Sequence, residues 1–340
     1  MLRWLLMTVM ITSTATAAPP LSPIVIGHRG ASGERPEHTL ASYTRAIEEG
    51  ADFIEPDLVM TKDHVLIVRH ENEISGTTDV AAHPEFAARK ATKTIDGQSV
   101  TGWFTEDFTL AEIKTLRARE RLPQLRPENA KFDGQFEVPT FEEVIALAKA
   151  RGVGVYPEIK HGTYFTGIGM NMEAPLLAAL KKAGWTRKTD RVFIQSFEVG
   201  NLQRLRKLTK LRLVQLMDAA GGPADRPDLR YTTMATPAGL KAVAAYADAI
   251  GPAKAMIVPR DTAGKSLAPT MLVADAHAAG LKVHPWTFRA ENVFLPAELR
   301  KGTNPAVHGD LAAEIRQFYA LGVDGVFSDF PGIAVTSKPK

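Results

Sequence analysis

The sequence predicts a (β/α)8 barrel, an α/β TIM-type fold, carrying an inserted segment after its second strand. Three observations lead there. Short apolar runs alternate with helical patterns through most of the chain, the mark of parallel strands joined by crossover helices. Residues able to do chemistry sit at the C-terminal ends of those runs, where such a barrel builds its site. One close pair of runs, within Glu55–Glu71, is separated by too few residues for a crossover, so it must double back as an antiparallel hairpin.

The first strand is PIVIGHRG, an apolar run ended by Gly27, His28, Arg29 and Gly30. Leu40, Tyr43, Ala46 and Ile47 then share one face of a 3.6-residue period, so HTLASYTRAIEEGA is a helix with Gly50 as its stop. FIEPD is the second strand. Glu55 and Asp57 are two residues apart on an extended chain and face the same way, and Pro56 between them argues against a helix. Thr61 to His64 form the hairpin turn. The returning run VLIVRH becomes an arm over the barrel mouth that brings His70 back beside the two acids.

From 72 to 134 the pattern is irregular, with an aromatic cluster at Trp103, Phe104 and Phe108 and one expected helix, TLAEIKTLRARE. At about sixty residues it is longer than an ordinary barrel loop. TFEEVIALAKARG is the next helix, with Thr140 and Glu143 spaced as a capping box. The remaining strands are VGVYPE, VFIQS, LRLVQL, AMIVP, KVHPW and GVFSD. NLQRLRKL, MLVADAHAAG and LAAEIRQFYALG are helices between them. With IVIG and FIEPD the strand count reaches eight.

The chain has 340 residues, 45% of them hydrophobic and 23% charged, the balance of a globular protein. A formal net charge of +3 and the lack of any dense basic block argue against nucleic acid as a partner. There are no cysteines, so disulfides, thiolate metal sites and thiol nucleophiles are excluded. Residues 1–17 read as a signal peptide, with Arg3, the apolar core WLLMTVMI and Ala15 and Ala17 at A-x-A spacing. That core is far short of the ~20 residues that span a bilayer, so stable membrane insertion is not expected. The expected product is a periplasmic or secreted single domain, 18–340, with the insertion at about 72–134.

If the barrel holds, strands one to four and seven bring His28, Arg29, Glu55, Asp57, Glu158, Lys160, Gln195, His284 and Trp286 to one mouth, and the hairpin adds His70. Three crowded carboxylates cannot all ionise without a cation. Oxygen ligands favour a hard ion, Ca²⁺ or Mg²⁺. Arg29 and Lys160 beside such an ion suit a phosphoryl group, and two flanking histidines suit general acid–base work. Taken singly, an E-x-D pair or an HRG turn is commonly structural; their coincidence at correlated strand ends points to phosphodiester cleavage. His64 is expected to be exposed, and His83, His161, His277 and His308 to be structural.

HRGASGERPEHTLASY followed by EPDLVMTKDHVLIVRHE resembles the signature of the glycerophosphodiester phosphodiesterase family, and the later pieces YPEIK, FIQSF, GLKVHPWTFR and VDGVFSDFP fit it too. The insertion is similar to that of the periplasmic branch. The resemblance covers 24–335. It implies a TIM-type barrel hydrolysing glycerophosphodiesters, such as glycerophosphocholine and glycerophosphoethanolamine, to an alcohol and sn-glycerol 3-phosphate. It implies His28 and His70 as the acid–base pair, and Glu55, Asp57 and Glu158 as ligands of a divalent cation, Ca²⁺ with Mg²⁺ as the alternative. It implies Arg29 and Lys160 as phosphate contacts. By position, Trp286 lines the pocket and Gln195 touches the polar part of the substrate.

Two departures stand out. The family usually has Asn where this chain has His38, and Asp where it has Glu71; neither residue is expected to touch a metal ligand or an acid–base histidine. The insertion is expected to cap the glycerol side of the pocket. Two rival readings share these residues: a phospholipase D-like lyase acting on lysophospholipids, and an exported protein that binds phosphodiesters without cleaving them. The first should want an apolar membrane-docking rim, and no exposed amphipathic helix of that kind is evident. Retention of both His28 and His70 argues against the second.

Overall fold

In the computed structural model, residues 22–339 are described; the expected signal peptide lies outside them. The strands, in chain order, are β1 (Ile24–His28), β2 (Phe53–Glu55), β3 (Asp57–Met60), β4 (Leu66–Val68), β5 (Ala91–Ile95), β6 (Gln98–Gly102), β7 (Gly154–Val155), β8 (Glu158–Ile159), β9 (Phe193–Ser196), β10 (Arg212–Met217), β11 (Ala249–Pro252), β12 (Lys282–Val283) and β13 (Gly325–Ser328). β2 and β3 are one barrel strand broken at Pro56, and β7 and β8 another broken at Pro157, because proline cannot donate to the ladder. Parallel pairing runs β13–β1–β2–β7 on one side and β12–β11–β10–β9–β8–β3 on the other. The last seam closes through the Asp324 and Phe327 N–H groups, which donate to the Val283 and Pro285 carbonyls at 2.9 and 3.1 Å, and through the Phe288–Ser328 bridge. The expected eight-stranded barrel is therefore observed.

A helix packs outside after each barrel strand, beginning with Leu40–Glu48 after β1 and Phe141–Arg151 after the hairpin, and ending with Pro331–Thr336 after β13. The predicted capping box at Thr140 and Glu143 is present, and Gly152 ends that helix in the left-handed conformation at φ 71°. β3 and β4 pair antiparallel, Leu58 with Val68 and Met60 with Leu66, so the hairpin is as read. His64 sits exposed in its turn.

Inside the barrel, strand periodicity sorts chemistry from core. Ile26, Phe53, Tyr156, Phe193 and Phe327 fill the lower interior as one aromatic-rich cluster. Burying each such side chain contributes ~1.5–3 kcal/mol. Two residues further along the same strands, hence on the same inward face, come His28, Glu55, Glu158, Gln195 and Asp329.

Three expectations are corrected. The sixth strand is Ala249–Pro252, not AMIVP; Lys254–Met256 is a 3-10 turn, and Ile257 and Val258 are buried in the outer core. Strand six must be small: a Cβ on Gly251 would come within 2.6 Å of Leu216. The branched run that carried the strand signal packs elsewhere. TLAEIKTLRARE forms only one helical turn, Leu110–Ile113, after its Thr109–Glu112 capping box. Beyond it the chain extends so that Ala118 can bridge Thr78 inside the core. The segment also holds an unpredicted hairpin, β5–β6, turning at Asp96 and Gly97 with φ 48° and 79°, the Asp-Gly pair such turns favour.

Third, His284 is not at the mouth. It is 1% exposed, T-shaped against Tyr156 and Phe193, with Nδ1 2.7 Å from the Tyr156 hydroxyl. Burial holds it neutral and lowers its pKa to about 3. A depressed value means the unfolded chain takes up a proton, near pH 6.5, that the folded protein refuses. Stability is then complete above pH 6.5 and is lost as pH falls toward 3, by about 1.4 kcal/mol per pH unit from this group. Chemical denaturation between pH 4.5 and 6.5 should show a slope shallower by that amount in His284→Gln; identical slopes would refute the assignment.

Candidate active site

The register of the barrel assembles the site. His28 lies opposite Glu55 across β1 and β2, Asp57 opposite Glu158 across β3 and β8, and Glu158 opposite Gln195 across β8 and β9. Glu55, Asp57 and Glu158 are all buried, and one ligand oxygen from each lies within 4.8 Å of the others. They open onto a cavity of about 370 Å³ that His28, Arg29, His70, Lys160, Gln195 and Trp286 also line. Apart from His284, the residues expected at the mouth are therefore there, with the buried Asp57 just beneath the cavity surface.

The donor set fits a divalent cation. Burial, then the Asp57 and Glu158 charges, push the Glu55 carboxyl well above its usual range. Burial raises Glu158 to about 8 against the pull of Lys160. Asp57 Oδ1 and Gln195 Oε1 are buried acceptors with no hydrogen-bond partner, so uncompensated acceptors accompany the carboxylates. An ion held by oxygen would satisfy all of these at once. Gln195 Nε2 meanwhile donates to Glu55 Oε1 at 3.0 Å, steadying one of the acids.

The cations and histidines surround this point. The Arg29 backbone N–H donates to Glu55 Oε2 at 2.8 Å, and Arg29 Nη1 donates to Glu37 at 3.0 Å. Arg29 Nε is buried and makes no hydrogen bond, its nearest carboxylate oxygen being Asp57 Oδ2 at 3.5 Å. Lys160 pairs with Glu158 at 2.9 Å and lies 3.2 Å from His70 Nε2. Each histidine has a carboxylate on Nδ1: Asp329 on His28 at 2.6 Å, and Glu71 on His70. With Nδ1–H donated, Nε2 is the unprotonated nitrogen on both rings, and on His70 it accepts from Lys160 Nζ. Burial, then Arg29, lowers His28 to about 4; burial, Arg29 and Lys160 lower His70 to about 3.

Both departures are closer to the chemistry than expected. His38, wholly buried, has Nε2 2.8 Å from Asp57 Oδ2 and Nδ1 2.8 Å from the Tyr43 hydroxyl, so it touches a candidate metal ligand. Glu71 touches His70. An E-x-D strand read in isolation hides both contacts, because the loop carrying His38 folds back under the second strand. His38→Ala should weaken divalent-cation binding about 10–100-fold by freeing Asp57, measured by calorimetric Ca²⁺ titration; unchanged affinity would count against that support.

None of 72–134 lines this cavity, but Asp96, at the turn of the inserted β5–β6 hairpin, lines an adjoining one that shares Glu158, Lys160, Phe197 and Asp218 with it. The later part of the insertion, with Arg121 and Arg126, stands behind the carboxylates of the two histidines. Asp329, Arg289, Glu37, Arg121 and Arg126 were not singled out from the sequence. Asp329 carried a usable signal, two residues after the inward Phe327 at a strand end, whereas Arg121 and Arg126 come from a stretch without periodicity.

Residues 28–333 match the glycerophosphoryl diester phosphodiesterase family. The chain belongs to that family. A glycerophosphodiester phosphodiesterase of Arabidopsis thaliana is 39% identical over 91% of this chain and 84% of its own length. One of Haemophilus influenzae is 32% identical over 92% and 88%. A phosphodiesterase of Oleispira antarctica, solved in complex with the product sn-glycerol 3-phosphate, shares the fold with a TM-score of 0.62 at 22% identity, over 93% of this chain and 96% of that one. As a member of that family this chain is an enzyme, and its candidate active site is the acid-lined cavity of about 370 Å³. Among its described residues no helix is long and apolar enough to cross a membrane.

Proposed function

We propose that this enzyme hydrolyses small glycerophosphodiesters to an alcohol and sn-glycerol 3-phosphate, with Ca²⁺ held by Glu55, Asp57 and Glu158. The observation that carries the reading is the meeting of that buried acid triad with two carboxylate-backed histidines in one cavity. When bound, the cation supplies positive charge to the phosphoryl oxygens. Arg29 and Lys160 hold the phosphate and offset charge that builds on it during displacement.

His28 and His70 are the general acid and base, His28 as base and His70 as acid. Asp329 and Glu71 keep both rings oriented with Nε2 toward the cavity. One ring takes the proton of the attacking hydroxyl; the other, neutral at rest, takes up a proton from solvent and gives it to the leaving alkoxide. Two nucleophiles satisfy this scheme, water and the neighbouring glycerol hydroxyl through a cyclic phosphate. Trapping a cyclic glycerophosphate selects the second. Trp286, anchored by its Nε1–H to the Gly251 carbonyl at 2.8 Å, and Phe197, edge-on to it, wall the leaving-group side.

Release of sn-glycerol 3-phosphate from glycerophosphoethanolamine, strictly dependent on added Ca²⁺, tests the proposal. Binding without turnover would favour the capture protein, and preference for lysophospholipid the lyase. The expected leader places the mature enzyme in the periplasm or outside the cell. N-terminal sequencing of exported protein should begin at Ala18, and an intact Met1 there would overturn that placement.

A further inference from the structure

The inserted segment stays out of the cavity, yet two of its side chains end one carboxylate away from each histidine. Arg121 is a double fork. Its Nη1 and Nη2 donate to Glu71 at 3.0 and 2.7 Å, while Nε and Nη2 donate to Glu37 at 2.8 and 2.6 Å. Glu71 is the partner of His70, and Glu37 is the partner of Arg29. Arg126 donates from Nη2 to Asp329 Oδ2 at 2.6 Å, from Nε to Glu291 at 2.5 Å and from Nη1 to the Ser32 carbonyl at 2.9 Å. Asp329 is the partner of His28, and the Ser32 hydroxyl donates to the His28 carbonyl at 2.8 Å. Arg126 is 7% exposed.

Two chains of guanidinium, carboxylate and imidazole result, a bidentate fork at Glu71 and a single donor at Asp329, where Arg289 Nε also donates at 3.0 Å. A planar fork fixes a carboxylate in angle as well as distance, which a lysine cannot do. A carboxylate so fixed aims its histidine, and the guanidinium charge behind it limits how strongly the carboxylate holds a proton on the ring. Arg121 does one thing more. By gripping Glu37 and Glu71 together it ties the loop that carries the phosphate-binding Arg29 to the arm that carries His70.

We propose that Arg121 and Arg126 are the positioning residues of the acid–base pair, and that delivering them is the work of the inserted segment. The proposal rests on His28 and His70 being that pair. It predicts that Arg121→Ala lowers kcat on glycerophosphoethanolamine about 10–100-fold, with KM within a few-fold and calorimetric Ca²⁺ affinity unchanged. Arg121→Lys, which keeps the charge and loses the fork, should recover only part of kcat, and added guanidinium should partly restore Arg121→Ala. Arg126→Ala should behave alike through His28.

A merely structural tie would lower Tm and leave kcat per folded molecule as it was; that result overturns the proposal. So does a loss confined to Ca²⁺ affinity. If the alanine variants do not fold, ¹⁵N spectra of the imidazoles in the unaltered enzyme decide: both rings should be protonated on Nδ1 with Nε2 bare, and the opposite tautomer at either ring refutes the arrangement. A fully active His70→Ala would instead defeat the acid–base reading itself, whereas an inactive His70→Ala beside a fully active Arg121→Ala defeats only the present proposal.

Discussion

Alanine in place of His28 or His70 should lower kcat about 10²–10⁴-fold while the protein stays folded. The fold should survive because neither deletion strands a buried charge. Without His28, Asp329 keeps Arg126 at 2.6 Å and Arg289 at 3.0 Å; these arginines, with His28, hold it well below the usual carboxylate range despite its burial. Without His70, Glu71 keeps the Arg121 fork. Loss of activity in either variant therefore reports chemistry. Steady-state kinetics with glycerophosphocholine, beside a melting curve within a few degrees of the parent, makes the check. Near-normal turnover in either would remove that histidine from the mechanism.

Stripping the divalent cation with a chelator should abolish activity, and Ca²⁺ should restore it together with thermal stability. Metal-free, Glu55, Asp57 and Glu158 repel one another in a buried space, and burial with the neighbouring charges has already pushed Glu55 and Glu158 upward. Binding must displace the protons they carry, so affinity should strengthen as pH rises toward about 8, the value of Glu158, and weaken below it. At a hundred-fold excess over Kd the ion should add about 2.7 kcal/mol. Glu158→Gln should lose activity and the Ca²⁺-induced shift, yet stay close to the parent in stability without metal, because burial already keeps Glu158 largely protonated below about pH 8 and the amide has the same shape. A Ca²⁺-induced shift in Glu158→Gln equal to the parent's would take Glu158 out of the ligand set.

Much of the site was legible because strands repeat every two residues. His28, Glu55, Glu158 and Gln195 each follow by two residues a buried aromatic or aliphatic residue of the inward face, and Asp57 follows Glu55 by the same step. The hairpin followed from spacing alone. Strand six escaped because Ala249, Gly251 and Pro252 leave Ile250 as its one branched residue, so the branched run nearby carried a misleading signal. His284 was placed one layer too high for a similar reason: β12 is only two residues long, and its parity could not be counted from the sequence.

By itself the sequence determined the barrel, the acid triad, the two histidines and the cations beside them, since each depends on short-range periodicity and spacing. Only the tertiary structure decided what stands behind them. Asp329 reaches His28 across 301 positions because the barrel closes strand eight on strand one. Arg121 reaches Glu37 across 84 and Glu71 across 50 because an aperiodic segment folds beneath the mouth. His38 meets Asp57 because a loop turns under a strand. Such contacts depend on how distant pieces close on one another, and no local pattern of residues records that closure.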